Sequence, residues 1–159
     1  MLKLLVLILN LIKFDEHRDY KVGELNGTKF IYRFADEYDI YDYGMSVACT
    51  ACYKVLKFFP LCVLIFDEDF DEFDEEEQEF IVFHELGHIN LHFKTNVYEK
   101  LDTDDLSEND KLLIEHEADM YGIEHTSYKA GMNTLKKLIV MFNDEDVKKR
   151  LQMVKIKLN

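Results

Sequence analysis

Tryptophan is missing from this chain, proline occurs once, at Pro60, and glycine only six times in 159 residues. That scarcity excludes a Pro-rich linker, and no repeat or low-complexity tract beyond acidic patches interrupts the chain. With 48% hydrophobic residues the length fills one proper core but not two, so residues 1–159 read as a single domain. Basic residues are also scarce, 19 against 32 acidic ones, for a net charge of −13. Such a charge repels phosphate backbones and anionic membranes, which excludes a direct nucleic-acid binder. It would favour a basic protein or peptide partner, although a solvated acidic surface is the plainer account.

Long apolar runs are lacking too. Residues 1–14 are almost wholly aliphatic but are broken by Lys3, Asn10 and Lys13. A membrane span needs ~20 apolar residues, and Asp15-Glu16-His17-Arg18 offers no small-residue cleavage site for a secretory signal. The segment reads as a core helix with one polar stripe, with attachment to a membrane surface as the lesser alternative. Three cysteines leave one unpaired in any scheme, and Cys49-x-x-Cys52 has no second pair to complete a zinc site. Buried thiols in a reducing, cytoplasmic compartment are the expectation.

Against these absences stands His84-Glu85-Leu86-Gly87-His88. On a helix, His84 and His88 are four residues apart and share a face, so both imidazoles can reach one zinc ion. Glu85 lies about 100° round from His84, on the flank of that face, where it can take a proton from water activated by the metal. A helix carrying two hydrogen-bonded histidines and no metal is the bland alternative. His92 extends the stripe, but three ligands along one straight helix would span roughly 12 Å, so a structural or supporting role is expected for it.

A zinc site open to water needs a third protein ligand, and Glu115-His116-Glu117-Ala118-Asp119 offers two candidates. At about 100° per residue, Glu115, Ala118, Asp119 and Gly122 share a narrow stripe, from which Glu117 points away. Small residues on that stripe, and Gly87 on the other helix, allow close approach. Glu115 is therefore the expected third ligand, and Asp119, one turn on, is placed to accept the free ring N–H of His84.

The two motifs together resemble gluzincin metallopeptidases. Glu115-x-x-Ala118-Asp119 after the His-Glu-x-x-His pentapeptide is similar to the pattern of the HtpX and CAAX-prenyl-protease family. The string from Phe83 through Leu91-His92, with Glu115-x-Glu117-Ala118-Asp119, resembles the ImmA/IrrE family of small cytosolic peptidases. The resemblance covers roughly residues 62–140 and implies zinc ligation by His84, His88 and Glu115, a general base at Glu85 and a supporting role for Asp119. It also implies that the strand before the motif helix borders the cleft and can pair with extended substrate. The chain departs from both patterns: Tyr121-Gly122-Ile123 replaces the aromatic-Ala and Leu-Leu-Met-Pro ending of the second family, and Met120 replaces the Arg of the first.

The remaining segments frame this site. Asn26-Gly27 signals a hairpin between residues 21–25 and 28–34, and Phe30, Tyr32 and Phe34 alternate with Ile31 and Arg33 to make one aromatic sheet face. Residues 36–43 form an acidic, Tyr-rich loop. Residues 46–59 read as a helix ending before Pro60, with a strand as the alternative, and residues 61–66 as a buried strand. Residues 67–79 hold ten acids in thirteen positions and read as a solvated face. Within them Asp74 and Glu77 make a capping box that starts the motif helix, expected to run to about Asn90. Residues 96–110 form a polar connection, Ser107 starts the ligand helix, and two helices occupy 127–142 and 144–158. The basic residues of these last helices, Arg150 among them, read as solvated faces. Tyr98, Tyr121 and His125 are open candidates for stabilising an oxyanion.

The expectation is an α+β domain with a small, mostly antiparallel sheet packed against a zincin-like helix pair and further C-terminal helices. It acts as a zinc-dependent endopeptidase on a protein or peptide substrate, or, alternatively, as a non-catalytic zinc-stabilised binding module.

Overall fold

The computed structural model describes residues 1–12, 19–36, 47–56, 59–92 and 106–157. They form two compact units, Met1–Glu72 and Phe73–Asn159. The class is α+β: a four-stranded mixed sheet, antiparallel at two of its three junctions, belongs to the first unit, and a group of helices makes up the second.

In the first unit, α1 (Leu2–Ile12) sends Val6 and Leu9 into a core shared with Ile31, Val63 and Ile65. Leu4, Leu7 and Leu11 face outward, so the helix is only half a core element, not buried throughout. Asn10 is a tether rather than part of a polar stripe. Its side-chain amide donates to the Tyr20 carbonyl at 3.1 Å and its oxygen accepts the Tyr20 N–H at 3.0 Å. No helix among the described residues is long and apolar enough to cross a membrane.

Strands β1 (Lys21–Leu25) and β2 (Thr28–Phe34) meet at Asn26-Gly27, whose φ angles of 49° and 79° are the left-handed pair that matches strand twist across a two-residue turn. The rings of Phe30, Tyr32 and Phe34 follow one another on one face at 6.0 and 6.1 Å, while Ile31 and Arg33 are buried on the other. Residues expected as a helix ending before Pro60 form strand β3 (Ala48–Leu56) instead, antiparallel to β4 (Phe59–Phe66). Backbone pairing across nearly the whole length of both strands outweighs the modest helical preference of Ala, Lys and Leu. The sheet order is β1-β2-β4-β3. Strand β4 is thus internal, paired with β3 and, at Leu64–Phe66, in parallel with β2. Over Leu64–Phe66 both sides of β4 are already paired, so an extended peptide has no free ladder to join there.

Cys49, Cys52 and Cys62 are only half-buried. The closest pair is not Cys49 with Cys52 but Cys52 with Cys62, opposite one another on β3 and β4 with sulfurs 2.8 Å apart. The acidic run contributes a short 3-10 turn (Glu68–Glu72) with no buried residue.

The second unit opens with α2 (Glu75–Gly87). Its capping box is complete: the Glu77 N–H donates to Asp74 Oδ1 at 3.0 Å and the Asp74 N–H to Glu77 Oε2 at 3.1 Å. Helical winding continues past Gly87 as a π-turn (His88–His92). Helix α3 (Glu108–His125) starts at Ser107, whose hydroxyl accepts the Asp110 N–H. Helix α4 (Tyr128–Phe142) starts at Ser127 and stops at Asn143, which turns left-handed at φ 52°. Helix α5 (Glu145–Lys157) follows, with Asp144 accepting the N–H groups of Asp146 and Val147. Met120, Met132, Leu135, Val147, Leu151 and Val154 knit α3, α4 and α5 into a core.

Candidate metal centre

Close contact between α2 and α3 builds the site. A Cβ added to Gly87 would lie 3.2 Å from the Ala118 Cα and 3.1 Å from the Tyr121 Cβ. At Gly122 it would strike the Phe80 ring at 2.8 Å. Glycine at these two positions lets the backbones approach far enough for side chains of both helices to meet. From Phe80 to Gly87 every residue of α2 is buried, so its polar members, His84 and Glu85, are held within the protein.

Nε2 of His84 and Nε2 of His88 are 3.2 Å apart, and each lies 3.4 Å from a carboxylate oxygen of Glu115. Bonds of about 2.0–2.1 Å to a tetrahedral zinc ion put neighbouring donors about 3.3–3.4 Å apart, close to each of these separations, with Glu115 turning Oε2 to His84 and Oε1 to His88. Donor type fits as well: two imidazoles and one carboxylate are borderline-to-hard ligands suited to zinc. The Glu85 carboxylate lies within 4.8 Å of the histidine donor atoms. Glu117, the other acidic candidate, engages His92 instead.

Charge inside the cluster is balanced by a residue that sequence reasoning placed on a solvated face. The Arg150 side chain, from α5, is only 11% exposed. Its Nε donates to Asp119 Oδ2 at 2.8 Å, Nη2 donates to Asp119 Oδ1, and Nη1 lies 2.9 Å from Glu115 Oε2. Asp119 Oδ1 also faces Nδ1 of His84 at 3.0 Å. The signal for Arg150 was present: it lies on the stripe of Val147, Leu151 and Val154, where a buried guanidinium requires buried partners.

Titration follows from these contacts. Burial works against a charge on His84, but the hydrogen bonds its ring donates to Asp119 and Glu115 outweigh it and hold the metal-free pKa at about 10. Burial pushes His88 down to about 3. Burial would raise Glu115 and Asp119, yet the neighbouring Arg150 holds both carboxyls below their usual range. Zinc at the donor cluster would therefore displace a proton from His84.

Of the oxyanion candidates, Tyr98 lies outside the described residues. The Tyr121 hydroxyl accepts a hydrogen bond from Asn90 at 3.0 Å, and the His125 ring stacks on Tyr121 at 4.0 Å. The Asn90 amide also donates to the Leu86 carbonyl, pinning the start of the π-turn to the motif helix. No protein-family model, curated protein or solved structure matches this chain.

Proposed function

We propose that the chain is a single-zinc endopeptidase of the gluzincin type, resembling the ImmA/IrrE family, with His84, His88 and Glu115 as ligands and Glu85 as general base. The carrying observation is the meeting of His84 and His88, their Nε2 atoms 3.2 Å apart, with the Glu115 carboxylate, one oxygen 3.4 Å from each, and the buried Glu85 carboxylate next to them. Bound zinc supplies Lewis acidity, lowering the pKa of a water toward ~7 and polarising a peptide carbonyl. Glu85 takes the proton of the attacking water and hands it to the leaving nitrogen. Asp119 accepts the Nδ1–H of His84 and so keeps the Nε2 lone pair directed at the donor cluster. Arg150 neutralises the pair of carboxylates and holds Glu115 in place. The substrate is a protein or peptide, with basic segments favoured by the net charge of −13, and neither nucleic acid nor a membrane is a partner. Three half-buried cysteines suit a reducing cytoplasm.

Metal analysis should find close to one zinc per chain, lost in His84→Ala and His88→Ala. Cleavage of a diverse peptide library should fall by ~10²–10⁴-fold in Glu85→Gln while its zinc content stays at the wild-type level. Zinc-loaded wild type that cleaves nothing would make the domain a zinc-stabilised binding module. Wild type that takes up no zinc would end the proposal.

A further inference from the structure

The inference here rests on the zinc-site reading and concerns what holds His88. If His88 gives its Nε2 lone pair to the metal, its ring is neutral and Nδ1 carries the proton. Nδ1 of His92 lies 3.2 Å from that nitrogen. It can accept only if unprotonated, which places the His92 proton on Nε2. That nitrogen lies 3.0 Å from Glu117 Oε2, an acceptor. A single arrangement of protons thus satisfies both of these contacts: His88 Nδ1–H donates to His92 Nδ1, and His92 Nε2–H donates to Glu117.

We propose that His92 and Glu117 form a positioning dyad for His88, in which Glu117 fixes the tautomer of His92 and His92 orients the metal-facing edge of His88. The two rings stand four residues apart on the π-turn that continues α2. Their centroids lie 5.3 Å apart, beyond the end of the regular helix. His92 is buried, whereas Glu117 sits on α3 with 62% of its side chain exposed, so the dyad runs from the donor cluster to solvent. His92 therefore acts through His88 and not on the metal, and Glu117 serves the site without being its third ligand.

The test is zinc affinity by chelator competition on the full chain, with the cobalt(II) spectrum as a second readout of ligand geometry. His92→Leu should weaken zinc by about 10–100-fold and shift the cobalt spectrum. His92→Asn, whose side-chain oxygen can take the place of Nδ1 as acceptor, should recover most of that loss. Glu117→Ala should weaken zinc several-fold in the wild-type background and add nothing in His92→Leu. Wild type that binds no zinc would overturn the site reading itself. Wild type that binds zinc while His92→Leu binds equally well, or while His92→Asn is no better than His92→Leu, overturns the dyad alone. If His92→Leu does not fold, Glu117→Ala at an exposed position decides: unchanged affinity and an unchanged cobalt spectrum reject the dyad.

Discussion

The two histidines at the centre of the second unit are supported in opposite ways. His84 leans on Asp119, which is fully buried and ion-paired to Arg150. His88 leans on the His92 ring, whose own partner, Glu117, stands at the surface. The contrast shows where charge needs protein compensation. Inside, the carboxylates of Asp119 and Glu115 require a guanidinium brought from another helix; at the surface, water does that work.

The largest effect should come from removing the compensation. Arg150→Met takes the guanidinium away from the buried Asp119 and leaves it facing His84, and the metal-free protein should lose about 3–5 kcal/mol in denaturant unfolding. Zinc should restore part of the loss, because a divalent cation replaces the missing charge beside Glu115. A variant as stable as wild type in the metal-free state would show that the ion pairs contribute nothing.

Next in size is the split between the acids of α3. Glu115→Gln should cut zinc affinity sharply, since it removes a charged donor from the cluster. Glu117→Gln should change it little, since the amide oxygen still accepts from His92. The reverse ranking in a zinc titration would make Glu117 the ligand.

The pH dependence of the metal-free protein is a third measure. His88, held at about 3 against an ordinary 6.5, together with the depressed Glu115 and Asp119, binds fewer protons folded than unfolded. Their stability is present above the unfolded values and is lost as pH falls from about 6.5 toward 3. His84 behaves oppositely: its contribution is full below 6.5 and disappears as pH rises through about 10. Metal-free stability should therefore peak between these limits, and a curve flat from neutrality to pH ~4 would refute the reading.

The smallest effect is expected at the surface end. Glu117→Gln should alter metal-free stability by no more than about 0.5 kcal/mol, as an exposed substitution does. A much larger loss would mean that Glu117 bears on folding as well as on His88.

Much of the helical framework was legible because its signals are local. Asp74 with Glu77, Ser107, and Asn143-Asp144 each act within one helical turn, and they start or stop helices where the caps are found. Asn26-Gly27 fixed its hairpin by backbone preference alone. The spacing of His84, Glu85 and His88 put three polar groups on adjacent lines of a single helix, and the stripe of Glu115, Ala118, Asp119 and Gly122 brought a second helix close to it.

What the tertiary structure decided is the choice of partner for each remaining polar group, and the state of segments whose own preferences are weak. Residues 48–56, for which a strand was the alternative to a helix, became a strand because β4 offered a matching ladder. Arg150 joined Asp119 across 31 positions, and His92 found Glu117 across 25. Helical periodicity can assign such side chains to a face. Which buried charge or ring nitrogen they meet depends on the packing of three helices, since a hydrogen bond is made or lost within a few tenths of an ångström that only the assembled unit defines.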